Sequence, residues 1–116
     1  MKTNLEYRKG VLFVRLSGSL IKKTLSELEN DLIPIILNAG IKYITFNFEK
    51  LNVIDNYGVE LINNVYELIR KNKGRMSICN MNNKVKIKID ESDLKDKYYN
   101  SLNELRSLEL FRLWIT

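Results

Sequence analysis

Twice along this chain a run of β-branched and aromatic residues gives way to an apolar stripe of helical period, and a second β-favouring run follows. The first such passage leads from Val11, Phe13, Val14 and Leu16 to Leu25, Leu28, Leu32, Ile35 or Ile36 and Ala39, then to Tyr43, Ile44, Phe46 and Phe48. The second leads from that strand through Leu61, Ile62, Val65, Leu68 and Ile69 to Met76, Ile78 and Cys79. The stripes have the spacing of one helical face. A strand–helix–strand passage pairs its two strands in parallel and packs the helix on the sheet. The pattern therefore predicts an α/β domain, a mixed central sheet with helices packed on it.

Composition narrows the chemistry. The 116 residues suit one domain, and no repeat, low-complexity tract or linker divides them, so 1–116 reads as a single domain. With no His, a His-based triad or general base is excluded. A lone Cys79 rules out a disulfide framework and the usual zinc sites. No metal or other cofactor is expected, and acid–base groups are too scattered to suggest an enzyme. The longest near-continuous apolar stretch, Leu32–Leu37, is far short of a membrane span, and Met1-Lys2-Thr3-Asn4 opens no signal core. A cytoplasmic protein is expected. The net charge of +5 suits an acidic partner or an anionic surface. Because the basic residues are spread along the chain with no RNP-like or zinc-finger spacing, nucleic acid is not an expected partner.

Local signals place the elements. Asn4–Ser17 reads as a hairpin turning at Arg8-Lys9-Gly10. Thr24-Leu25-Ser26-Glu27 has the form of a capping box opening the first helix, Pro34 should kink it, and Gly40 suits its left-handed cap. Asp55 is a good N-cap for the second helix, with Ile54 and Val59 placed as a hydrophobic staple, and Asn72-Lys73-Gly74 closes it. Lys84–Ile89 alternates with period two, as a half-buried strand does, yet Val85 and Ile89 also stand one helical turn apart. Pattern does not decide between them. Ser101-Leu102-Asn103-Glu104 has the form of a second capping box, opening a helix with Leu102, Leu105, Leu108 and Phe111 inward. Cys79 reads as a small core side chain, and Lys84, Lys86 and Lys88 as a solvated row.

The junction Ile44–Val59 carries the most specific signal. Asp55-Asn56-Tyr57-Gly58 sets small and polar groups at a helix start, where free N–H groups and the positive dipole end coincide. Together with Val11–Gly18 as a strand ending in Gly, Ile44–Asp55 as strand and loop, and Leu94 and Ser101-Leu102 as a late turn and last helix, this motif resembles the STAS domain of bacterial anti-sigma factor antagonists. Asp55-Asn56-Tyr57-Gly58-Val59 is similar to the family's Asp-Ser-Ser/Thr-Gly-Leu signature, in which a partner kinase phosphorylates the residue after the Asp. Here that residue is Asn56, and the next is Tyr57. Ser19 and Ile21 stand where acidic residues are usual, as does Asn47.

The resemblance implies a STAS-like single domain that acts as a non-catalytic protein-binding module, anti-sigma factor antagonist-like, without the phosphorylatable Ser or Thr. Its implied partner is an anti-sigma factor or related regulatory kinase. The implied contact residues are Gly18, Ser19 and Ile21 in one loop and Asp55, Asn56, Tyr57, Gly58 and Glu60 at the second helix start. The alternative it implies is a regulatory subunit of a membrane lipid transporter, partnered by the transporter ATPase, or a part of a stress-signalling scaffold. The apolar C-terminal extension 110–116 is expected to dock on the domain, with self-association into a homodimer as the other reading.

Overall fold

The computed structural model describes residues 1–115 as one α/β domain. Its elements are β1 (Lys2–Arg8), β2 (Val11–Leu20), α1 (Leu25–Ala39), β3 (Tyr43–Ile54), α2 (Asn56–Lys71), β4 (Arg75–Cys79), α3 (Asn83–Asp90), β5 (Tyr99–Ser101) and α4 (Glu104–Phe111). The sheet order is β1-β2-β3-β4-β5, with β1 antiparallel to β2 and the remaining neighbours parallel. The mixed sheet with packed helices is the architecture the sequence predicts.

The hairpin turns on Lys9 and Gly10, with φ of 52° and 87°. Two successive left-handed residues match the twist of the flanking strands. Alternation along β2 then sorts side chains between two cores. Leu12, Val14 and Leu16 join the main core with Leu28, Leu32 and Ile36 of α1, Ile62, Val65 and Ile69 of α2, and Val85 and Ile89 of α3. Val11 and Phe13 point the other way and pack with Leu108 and Phe111 of α4. Helices α1, α2 and α3 thus cover one face, and α4 covers part of the other.

Beneath α4 the sheet is polar. Thr45, Ser77 and Ser107 are fully buried, and their hydroxyls pair with one another, Ser77 lying 2.9 Å from Thr45 and 2.6 Å from Ser107. A closed ring of hydroxyls satisfies itself without water. At the helix N-terminus Arg15 clamps Glu104 through two 2.7 Å bonds, and Asn47 donates to the same carboxylate at 2.7 Å. These donors hold the Glu104 carboxyl below the usual carboxylate range.

Several expectations need correction. Thr24 does flank α1, but its side chain makes no cap bond, so the capping box with Glu27 does not form. Ala39, placed on the inward stripe, is exposed. Lys84–Ile89 lies in a helix capped by Asn82, which accepts from Val85 N at 2.8 Å, so the four-residue spacing of Val85 and Ile89 prevails over the alternation. The last helix is capped by Asn103, not Ser101. Its register therefore turns Leu102 and Leu105 to solvent and leaves Leu108 and Phe111 inside. The three-residue strand β5 had no pattern to announce it. Cys79 is buried in β4, and loss of hydration pushes its thiol up to about 12. Of the extension 110–116, Phe111 is buried and Trp114 and Ile115 pack beside it, while Thr116 lies outside the described residues.

Candidate functional site

The site residues named from the sequence gather at the ends of β2 and β3. Near its end β2 shifts register against β3 twice, between Arg15 and Ser17 and between Gly18 and Ser19, and Gly18 takes φ 104°. Each shift sets an extra residue on β3, between Asn47 and Lys50 and between Leu51 and Val53, which bends the strand pair, and glycine accepts the left-handed backbone at position 18. The bend carries Ser19 and Leu20 alongside Val53 and Ile54, directly before α2.

Asp55 then ties the two chain segments together. Its backbone N–H donates to Leu20 O at 3.2 Å. One carboxylate oxygen accepts from Gly58 N at 2.8 Å, capping α2, and the other accepts from Lys22 N at 2.9 Å. Both oxygens of one side chain are thereby used, one on each segment. Gly58 allows the approach: a Cβ there would lie 2.3 Å from Leu20 O and 2.8 Å from Ile54 Cγ1. A Cβ carbon does not approach other heavy atoms that closely, so only glycine fits here without a shift of the Leu20 backbone.

Thr24, read from the sequence as a helix cap, has a different role. Its hydroxyl donates to Ser19 O at 2.7 Å and accepts from Ile21 N at 3.1 Å, which closes the loop 19–24 on itself. A Thr six residues after Gly18, just ahead of the helical stripe, was the available signal. Lys22 belongs to the loop Gly18–Lys23 of the expected contact surface, and its ammonium lies 5.0 Å from the centroid of the Tyr57 ring.

The outer surface of this junction is open. Asn56, Glu60, Lys22 and Lys23 are exposed, and Tyr57 is 47% exposed. Gly18, Ser19 and Ile21 are half-buried in the adjoining loop, and Gly58 is buried under it. The structure therefore brings all eight named residues into one region, with Gly58 as a floor. The region offers a carboxamide, a phenol and charges of both signs on a rigid frame. It suits recognition of another protein surface.

The STAS domain family matches residues 2–105 of the chain. An anti-sigma F factor antagonist of Paenibacillus polymyxa is 30% identical over 113 residues, which cover 95% of this chain and 97% of the relative. The anti-sigma factor antagonist SpoIIAA has the same fold in its unphosphorylated form, with TM-score 0.78 and 18% identity over 96% of this chain and 98% of that one. An anti-sigma factor antagonist from Mycobacterium paratuberculosis superposes with TM-score 0.84 and 17% identity, over 96% of this chain and 93% of that one. A match that spans the sheet, the bent strand end and the Asp55–Gly58 junction alike leaves one assignment: this chain belongs to the STAS domain family, and within it is similar to the anti-sigma factor antagonists.

Proposed function

We propose that the chain is a non-enzymatic anti-sigma factor antagonist that binds an anti-sigma factor, or the kinase form of one, through the loop Gly18–Lys23 and the first turns of α2. The observation that carries this reading is the Asp55 bridge, which fixes an exposed Asn56, Tyr57 and Glu60 against the neighbouring loop before any partner arrives. A surface ordered in advance loses less entropy on binding. The 30% identical relative, an anti-sigma F factor antagonist, supports the partner class.

The same reading makes the surface insensitive to phosphorylation at the residue after Asp55. Asn56 has no hydroxyl to accept a phosphoryl group, so the −1.5 to −2 charge that phosphorylation adds cannot arise at that position. Binding is then set by the amount of each partner. A cytoplasmic setting follows from the proposed partner. No specific observation favours the transporter-subunit or scaffold reading.

The test is a titration of the purified chain against an anti-sigma factor of the same source. Tyr57→Ala and Glu60→Lys alter exposed side chains and are expected to weaken binding tenfold or more, with circular dichroism unchanged. Full affinity in both variants overturns the proposed surface.

A further inference from the structure

The opposite end of the domain has a different character. Residues 7–26, 32–48 and 68–89 contain no Asp or Glu, and the turns at the start of β2, β3 and β4 all fall within them. The hairpin brings Arg8 and Lys9 to this end, and the α1–β3 turn brings Lys42. The α2–β4 turn adds Arg70, Lys71, Lys73 and Arg75, and Arg75 N bonds to Lys42 O at 2.8 Å. Among the described residues, none of these cations makes an ion pair. All are exposed except Arg75, which is half-buried.

Apolar and aromatic groups stand among these charges. A groove here is lined by Tyr7, Gly10, Lys42, Tyr43, Trp114 and Ile115. Arg75 stacks 3.8 Å from the centroid of Trp114 and donates to the Tyr99 hydroxyl at 2.7 Å, which joins the groove to a second hollow lined by Arg70, Arg75 and Lys97. Asp96 also lines that hollow. Tyr7, Leu37 and Leu113 project at 63%, 60% and 75% exposure.

We infer that this end docks on an anionic lipid bilayer. Charge complementarity names the occupant: unpaired Lys and Arg attract acidic headgroups, and exposed Leu with Tyr and Trp suits the headgroup–acyl boundary. A nucleic-acid backbone would use the cations but would gain nothing from Leu37 and Leu113. No helix among the described residues is long and apolar enough to cross a membrane, so the contact is peripheral. The twelve residues of β3 separate this end from the Asp55 junction, which leaves the junction facing away from the lipid. The inference stands apart from the proposed partner surface, and either can fail alone.

Sedimentation with vesicles tests it. The chain is expected to pellet with phosphatidylglycerol vesicles and not with phosphatidylcholine vesicles, and to be released by salt. Arg70→Gln/Lys71→Gln/Lys73→Asn should weaken that binding about a hundredfold, at about fivefold for each cation. Leu113→Ser should also weaken it, with circular dichroism and anti-sigma factor affinity unchanged in both variants. Equal binding to both vesicle types overturns the inference, as does no binding to either. Duplex DNA bound more tightly than phosphatidylglycerol vesicles, with Leu113→Ser without effect on the vesicles, overturns it in favour of a nucleic-acid surface.

Discussion

Lys22 and Asp55 are 33 residues apart in sequence, yet the backbone N–H of Lys22 donates to Asp55 Oδ2 at 2.9 Å. The same carboxylate caps α2 through Gly58 N. One side chain therefore serves two elements, and its removal should be felt in both. Asp55→Ala is expected to cost about 1–2 kcal/mol in chemical denaturation, the usual loss for a helix cap. It should also speed amide exchange at Lys22 as well as at Gly58. A variant with faster exchange at Gly58 alone would show that the loop is held by other contacts.

Gly58 and Gly40 separate two reasons for a glycine. At Gly58 an added methyl group meets the Leu20 carbonyl at 2.3 Å, a backbone atom that cannot rotate away. Gly58→Ala should therefore cost about 3 kcal/mol, at the upper end for overpacking, and should weaken partner binding by displacing the loop. Gly40 has φ +61° and nothing within 4 Å of an added Cβ. Gly40→Ala should cost only about 1 kcal/mol, the strain of a left-handed backbone. Thermal melts of the two variants make the comparison.

The attachment of α4 should depend on acid. Arg15 first, and Asn47 with it, hold the Glu104 carboxyl below its ordinary value. Such a lowered group contributes stability in full above the unfolded carboxylate pKa of about 4.3. That contribution is lost as pH falls through the lower folded value. Denaturation between pH 6 and 2.5 should show this loss in the parent chain. Glu104→Gln should be less stable at neutral pH and should show a shallower loss across the acid range.

Cys79 gives a probe of the sheet. It is fully buried and its thiol is raised to about 12. The thiolate is the reactive form, so a disulfide reagent at pH 8 should leave the folded protein unmodified and label it at the rate of unfolding. Prompt labelling under native conditions would show that β4 opens locally.

On the proposed function, a hydroxyl placed after Asp55 should create a site for a kinase. Asn56 is exposed at the first residue of α2, so Asn56→Ser fits without repacking. With an anti-sigma kinase and ATP, this variant is expected to take up phosphate and lose affinity, and mass spectrometry locates the group. Absence of phosphate on the variant would mean that the kinase does not read this junction.

The sequence made the crossovers legible because each helix buries a stripe long enough to show its period, as in Leu61–Ile69. The junction was legible for a related reason, since Asp55 and Gly58 each perform a local task that few residues can. What escaped was decided by tertiary contacts. Thr24 fits a cap pattern, but its hydroxyl oxygen accepts from Ile21 N in the preceding loop instead of from a helix N–H. Lys84–Ile89 is too short for period to decide, and the main core takes Val85 and Ile89 as two turns of one helix face. Leu102 and Leu105 belong to a pattern shifted by the Asn103 cap, whose register depends on where β5 releases the chain.

The central claim is that this surface binds its partner with no phosphate switch at the position after Asp55. The direct measurement is the Kd for an anti-sigma kinase, taken before and after incubation of the mixture with ATP and Mg²⁺. An unchanged Kd, with no phosphate on the chain by mass spectrometry, is the predicted result. Release of the kinase together with phosphate incorporated on the chain would contradict it.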